Sequence, residues 1–434
     1  MATILFALAL RLCWLFAHPL RKPDRIYLPD SHGYETLAKN IIQHKAFSSD
    51  KEAPFRPDIR RTPGYPLFVA SIFRFSREDP RFVCVAQALL SAWLVFFSIR
   101  LGTLFYSQRA GLIAGGILAI DPLQTVFTGF MISEILFAVF LSWFFLNLVQ
   151  AFIRPSNKRK LLFTGVLLGS ATLCRPISLY LLAPVSLFWI LFRHSRGVKE
   201  MLIVGVGFFM LILPWMTRNK LVSETFQFTT IGSTNIQFYD VPAFDNHLSG
   251  RSITEIRDHY SSIEPVSPIK EYWELIVNHP IEYMKVRLLW LYRLLFDPGD
   301  GVLVFLGQDY FIGTNAVPRA SPLELIWGDL NACFSYIGKY REKRGHVWGF
   351  LLGFYVVFYL IFLSVRYIFA IMGLKNLANK KKGLPILILA ILGYFLLAPG
   401  SVGSARFMLP LGPLVAAMAG VGVASLLSSR SKKR

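Results

Sequence analysis

The fold is decided by Leu161–Phe192, LLFTGVLLGSATLCRPISLYLLAPVSLFWILF, together with its flanks RPSNKRK (Arg154–Lys160) and RHSRGVK (Arg193–Lys199). At about 20 residues per crossing, the run is long enough for one steep span. Both ends carry basic clusters, however, and short loops rich in Lys and Arg stay on the cytoplasmic side. The run therefore leaves and returns on one face, and Arg175-Pro176 in its middle is a turn on the other.

Other apolar segments lie on either side of this hairpin. Met1–Ala17, Phe82–Tyr106, Ala110–Phe130 and Ile132–Ile153 precede it; Met201–Trp215, Val347–Ile371, Leu384–Pro399 and Phe407–Leu427 follow. With 54% hydrophobic and 15% aromatic residues and a mean hydropathy of +0.48, the chain is a polytopic membrane protein. Lipid offers no partner to exposed backbone groups, and the runs are too long for barrel strands, so the spans are helices. The predicted fold class is an all-α transmembrane bundle of about 10–12 spans.

Lys375–Lys382 and Arg430–Arg434 join the two basic flanks on the cytoplasmic face. The same logic turns the chain at Asp121-Pro122 and at Gly400–Ala405 on the outer face. It also places the polar insertions His18–Arg81 and Arg218–His346 there. Three regions follow: an N-terminal module (1–217), an outer-face loop region (218–346) and C-terminal spans with a basic tail (347–434). Tyr34–Ile42 and Gly64–Phe75 read as short amphipathic helices near the interface, and Pro268–Phe296 as a helical pattern ending at the membrane surface.

The balance of 46 basic to 26 acidic residues gives +20. Residues 218–346 are nearly neutral, so the excess sits in short connections beside spans, where topology and anionic lipids explain it and nucleic acid does not. Cys13, Cys84, Cys174 and Cys333 are scattered and imply neither a disulfide framework nor a zinc site. His32, His44, His247 and His279 show no ligand-like spacing, so no metal-binding residue is assigned. Arg11 interrupts the first apolar segment and no cleavage signal follows it, which makes Met1–Ala17 an uncleaved span.

The first insertion holds the chemistry. It opens Pro29-Asp30-Ser31-His32-Gly33-Tyr34-Glu35 and closes Arg60-Arg61-Thr62-Pro63-Gly64-Tyr65-Pro66. Asp30 is either a helix N-cap or a general base. Arg60 and Arg61, on a turn fixed by two prolines, face either a lipid phosphate, which a planar guanidinium fork suits, or anionic headgroups in general. Arg11, Arg175 and Arg406 sit within or at the mouths of apolar segments, where a charge needs a partner or a cavity. Arg11 reads as a structural pair inside the bundle, Arg175 and Arg406 as candidates for function. Glu134 opens a span on the outer side and is placed to pair with one of these arginines or with substrate. Pro214-Trp215-Met216-Thr217-Arg218-Asn219 ends a span with an interfacial aromatic.

In order and spacing these pieces resemble the GT-C superfamily of membrane glycosyltransferases, in particular the branch of protein O-mannosyltransferases and lipid A aminoarabinose transferases. The matching residues are Asp30-Ser31-x-x-Tyr34-x-x-Leu37-Ala38, Thr62-Pro63-Gly64-Tyr65-Pro66-Leu67-Phe68, Pro122 followed by Ser133-Glu134-Ile135-Leu136-Phe137, and Arg175-Pro176. Pro214-Trp215-x-x-Arg218-Asn219, His279-Pro280-x-x-Tyr283 and Arg406-Phe407-x-x-Pro410 complete the series.

The resemblance implies a polyprenyl-phosphate-linked sugar donor, transfer at the outer face of a bacterial inner membrane, and Asp30 as the catalytic acidic residue. Aminoarabinose transferases place Glu-Lys-Pro-Pro where this chain has Arg60-Arg61-Thr62-Pro63. Arg61 then takes the phosphate-binding place of that lysine. Arg60 replaces the acidic residue associated with metal, which leaves a divalent cofactor an open question. The sequence carries no large soluble C-terminal domain, which argues against an oligosaccharyltransferase.

On this reading Asp30 takes the proton of an acceptor hydroxyl on a lipid, glycan or protein. Arg61, Arg175 and Arg406 meet the leaving phosphate, and Tyr34, Tyr65, Glu134, Trp215, Arg218 and Asn219 line the substrate site. The rival readings are a lipid-linked-sugar flippase, which would favour repeated halves, and a polysaccharide ligase or polymerase.

Overall fold

The computed structural model describes residues 1–17, 20, 23–252, 255–258, 268–296, 337, 338, 341, 342, 346–380, 383–400 and 405–431. Among the described residues every regular element is helical, and the chain is an integral membrane protein. Two compact units form. Met1–Thr229, Val365–Phe395 and Leu409–Arg434 make the first; Thr230–Ser364 and Leu396–Met408 make the second.

In the first unit the order is α1 (Ala2–Ala17), α2 (Pro29–Gln43), α3 (Gly64–Ser76), α4 (Pro80–Phe105), α5 (Gln108–Ala119), α6 (Pro122–Val126), α7 (Glu134–Ile153), α8 (Lys158–Cys174) and α9 (Leu182–Ser223). Among the described residues of the whole chain, five helices are long and apolar enough to cross a membrane, six if α5 and the bent segment after it count as one span. The sequence suggested ten spans, and a helix stands at each of those ten places. The counts differ because α1, α8 and the helix Leu384–Leu397 are too short to pass alone and because α9 joins two predicted spans across a break.

That break confirms the hairpin logic. His194 has φ 48° and ψ −133°, outside the helical region. A Cβ added to Gly197 would lie 2.5 Å from the Trp189 carbonyl oxygen. Eight residues of continuous helix would hold these positions about 12 Å apart, so the chain doubles back here. The second arm of α9 then runs parallel to α8. A Cβ on Gly165 would meet the Val204 carbonyl at 1.9 Å, and one on Gly207 would meet that of Leu162 at 2.1 Å. Glycine permits this backbone contact, the usual means of close helix approach in lipid.

At the turn, Arg193 donates to the carbonyls of Ala151 (2.9 Å) and Phe152 (2.6 Å) at the end of α7 and pairs with Glu200. The guanidinium thereby satisfies carbonyls that the helix terminus leaves open. Arg175 lies at the other end of α8, roughly 25 Å along the helix from its start. The basic clusters and Arg175 therefore occupy opposite ends of the bundle.

Two buried cations brace the middle. Arg11, fully buried, donates to Ser91 Oγ (2.8 Å) and to the carbonyls of Ala7, Leu118 and Ala119, as the sequence expectation of a structural partner required. Arg366 pairs with Asp121 at 2.5 Å. Asp121 also accepts from Leu123 N, so the predicted turn there is a capped helix start.

The second unit contains α10 (Ile231–Asn235), α11 (Val241–Ser249), α12 (Pro268–Asn278) and α13 (Pro280–Phe296). Ala243 and Phe244 pack against Val286, Leu289 and Trp290, and His247 Nε2 lies 2.8 Å from Glu282 Oε2. Residues α14 (His346–Lys380), α15 (Leu384–Leu397) and α16 (Gly412–Ser431) complete the chain. Cys333 and positions 401–404 of the predicted outer turn lie outside the described residues.

Candidate active site

α2 starts at Pro29, whose fixed φ suits the first helical position. Ser31, not Asp30, supplies the capping side chain: its Oγ accepts from Leu28 N at 2.9 Å. The capping reading of Asp30 thus passes to its neighbour. Asp30 sits in the first turn, where the helix dipole favours an anion, and its Oδ1 accepts from Arg61 Nη2 at 2.9 Å. Upstream, Ile26 O accepts from Met131 N (3.0 Å), which ties this start to the segment before α7.

Arg61 is placed by the turn before it and the helix after it. Asp58 Oδ1 accepts from the backbone N–H groups of Arg60 and Arg61, both at 2.8 Å, a side-chain-closed turn. Thr62 Oγ1 then donates to the Cys174 carbonyl at 3.3 Å. A Cβ on Gly64 would lie 2.8 Å from the backbone of Leu173 and Cys174. The start of α3 is therefore clipped to the end of α8, one residue before Arg175.

The result is a continuous chain of contacts. Arg61 lies over the Tyr34 ring at 4.9 Å and donates from Nη1 to Tyr34 Oη at 3.4 Å. Tyr34 Oη meets Ser133 Oγ at 3.3 Å, and Arg175 Nη1 donates to the same Ser133 Oγ at 3.2 Å. Arg175 also pairs with Glu134, itself almost wholly buried, at 2.5 Å. Tyr34 meets Tyr65 edge-on at 4.7 Å, and Tyr65 donates to Gln87 Oε1 at 2.7 Å. Burial pushes the Tyr65 phenol well above its usual range and keeps it a neutral donor. At Arg61 burial pulls the other way, but the Tyr34 oxygen and the Asp30 carboxylate outweigh it and hold the guanidinium charged.

Trp215, Arg218 and Asn219 spend their donors on backbone carbonyls. Arg218 donates to Asp58 O (2.6 Å) and Phe47 O (3.4 Å) and packs over the rings of Phe47 and Trp215. Asn219 donates to Gln227 O and Phe228 O, both at 3.0 Å, and Trp215 to Phe228 O at 3.1 Å. Arg218 thereby holds the loop that carries Arg61, while Trp215 and Asn219 fasten the segment after α9 and brace Arg218. Arg406 belongs to the second unit, where its guanidinium lies over Phe407 at 5.2 Å.

Residues 65–217 match the profile of the dolichyl-phosphate-mannose-protein mannosyltransferase family. The fold resembles that of the archaeal oligosaccharyltransferase AglB from Archaeoglobus fulgidus, solved with an inhibitory peptide and a dolichol-phosphate. There the TM-score is 0.53 at 12% identity, over 99% of this chain and 50% of that one. The chain has the GT-C glycosyltransferase fold.

A second structure of the Archaeoglobus fulgidus oligosaccharyltransferase, with Zn and sulfate, gives a TM-score of 0.52 at 12% identity, over 98% and 49% of the two chains. This chain spans about half the length of both. ArnT from Cupriavidus metallidurans, bound to undecaprenyl phosphate, gives 0.44 at 13% identity over 97% and 77%. No curated protein sequence matches.

The Zn in one GT-C relative prompts a test of the donors here. A hard or borderline cation needs several converging oxygen, nitrogen or thiolate ligands. The Asp30 carboxylate is instead paired with a guanidinium, its loop carries two arginines in succession, and among the described residues no three His, Cys, Asp or Glu side chains converge. These residues do not fit a metal.

Ser133 and Gln87 are polar members of this cluster that the sequence reading left without a role. Gln87 has a signal in sequence, a polar amide inside the apolar segment Phe82–Tyr106. Ser133 has none beyond its place beside Glu134.

Proposed function

We propose that the protein transfers a sugar from a polyprenyl-phosphate-linked donor to an acceptor hydroxyl at the outer face of a bacterial inner membrane, with inversion. The observation that carries this reading is the pairing of one carboxylate, Asp30, with one guanidinium, Arg61, at the end of the bundle opposite the basic clusters. By the positive-inside rule that end faces outward.

In the reaction, Asp30 accepts the acceptor's hydroxyl proton as the oxygen forms a bond to the anomeric carbon. The bond from that carbon to the phosphate oxygen breaks, and its electron pair leaves with the phosphate. Attack and departure on opposite faces invert the centre. A positioned carboxylate contributes about 10²–10⁴-fold. Arg61, with Arg175 behind it through Ser133, stabilises the charge that grows on the phosphate. Tyr34 and Tyr65 form the wall of the site, and Glu134 keeps Arg175 in place. Arg218 acts through the loop that carries Arg61, and Trp215 and Asn219 brace Arg218. Arg406 keeps its phosphate assignment on the pattern Arg406-Phe407-x-x-Pro410 alone.

The test uses purified protein with a radiolabelled polyprenyl-phosphate sugar and candidate acceptors. Covalent transfer by wild type, with donor saturation lost in Arg61→Ala, is the expected result. Label that crosses the membrane without a covalent product would instead identify a flippase.

A further inference from the structure

Asp30 and a lipid phosphate are the same kind of ligand for Arg61: both offer anionic oxygens to one face of a guanidinium fork. In this structure the carboxylate takes Nη2 at 2.9 Å. A carboxylate held by a guanidinium is a weaker base than one released from it. While Asp30 holds Nη2, the base is therefore weakened and that donor is closed to a phosphate.

The surroundings differ on the two sides of the pair. Arg61 is 17% exposed and is fixed from behind: Tyr34 Oη takes Nη1, Ser133 takes Tyr34, and Arg175 reaches the same Ser133. Ser133 is fully buried, and Tyr34 is 7% exposed. Asp30 is 33% exposed on the first turn of α2, and Ser31 makes the cap independently of it. The guanidinium is thus the fixed member of the pair and the carboxylate the exchangeable one.

We propose that Asp30 occupies the donor-phosphate seat on Arg61 in the resting site and that the arriving phosphate displaces it. Donor binding then releases the base, so the acceptor is activated only after the donor is in place. No bond forms or breaks in the exchange; one anion replaces another on Arg61. Tyr34 and Ser133 are the positioning residues that keep the guanidinium in place while its partner changes. This inference rests on the proposed phosphate role of Arg61.

The test is equilibrium binding of undecaprenyl phosphate to the full-length protein in nanodiscs, with melting temperature followed for every variant. Asp30→Asn, which keeps the side-chain shape and removes the competing charge, is expected to bind about fivefold more tightly. Glu35→Gln removes an equal charge from the same helix, where it is paired with Lys39, and controls for net charge; it is expected to bind as wild type. Arg61→Ala is expected to bind at least about tenfold more weakly. Tyr34→Phe should raise the donor KM severalfold with the melting temperature unchanged, a combination that a general loss of structure does not produce.

Unchanged or weaker binding by Asp30→Asn, with Arg61→Ala still impaired, overturns the displacement and leaves Arg61 as the phosphate residue. Equal tightening in Glu35→Gln overturns it too. Wild-type binding by Arg61→Ala would remove the functional reading on which the inference stands.

Discussion

Arg366 meets Asp121 at 2.5 Å with 4% and 1% of the side chains exposed, whereas Arg61 meets Asp30 at 2.9 Å with 17% and 33% exposed. Both are arginine–aspartate pairs of the first unit. The first is sealed among α5, α6 and α14, and each partner there is the other's means of being buried at all. Asp30 and Arg61 sit at a helix start and a loop end, partly open to solvent, and the more exposed Asp30 can change partner at small cost. Sealing makes a pair part of the scaffold; partial exposure leaves it free to do chemistry.

Variants can break this contrast. Arg366→Met leaves Asp121 buried without its countercharge, and unfolding in detergent is expected to lose about 3–5 kcal/mol. Adding Asp121→Asn should return part of that loss; if the double variant is no better than the single one, the pair is not what holds these helices. Gly64→Ala forces a methyl to within 2.8 Å of the Leu173 and Cys174 backbone and is expected to cost about 1–3 kcal/mol. It should also slow transfer by moving Arg61 away from Arg175. Ser133→Ala removes the link between Tyr34 and Arg175 and is expected to cost about 1 kcal/mol of stability, with a severalfold rise in donor KM. The smallest effect belongs to Glu35→Gln, a surface i,i+4 pair, expected within about 0.5 kcal/mol by the same melts.

The helices were legible in the sequence because a membrane imposes a length and a composition that leave few alternatives. The hairpin of Leu161–Phe192, flanked by Arg154–Lys160 and Arg193–Lys199, followed from charge, and the sharp bend at His194 within the second flank fits it. The site was legible only as parts. Asp30 and Arg61 stand 31 positions apart, and what joins them is the clip of Thr62 and Gly64 onto the end of α8, a backbone contact that no local pattern announces. Arg366 was passed over inside Val347–Ile371, although an arginine within an apolar run is itself a signal for a buried acid. Ser133 lacked even that, since a single hydroxyl beside an apolar span is common and its two neighbours come from distant segments. Trp215, Arg218 and Asn219 were recognised as a group, but the carbonyls they would brace could not be foreseen.

The measurement closest to the central claim sets Asp30→Asn beside Asp121→Asn, with transfer rate and melting temperature recorded for both. The account predicts that Asp30→Asn melts as wild type and loses about 10²–10⁴ of the rate. Asp121→Asn should lose stability, while its folded fraction transfers sugar at close to the wild-type rate. Full transfer by Asp30→Asn would contradict the account.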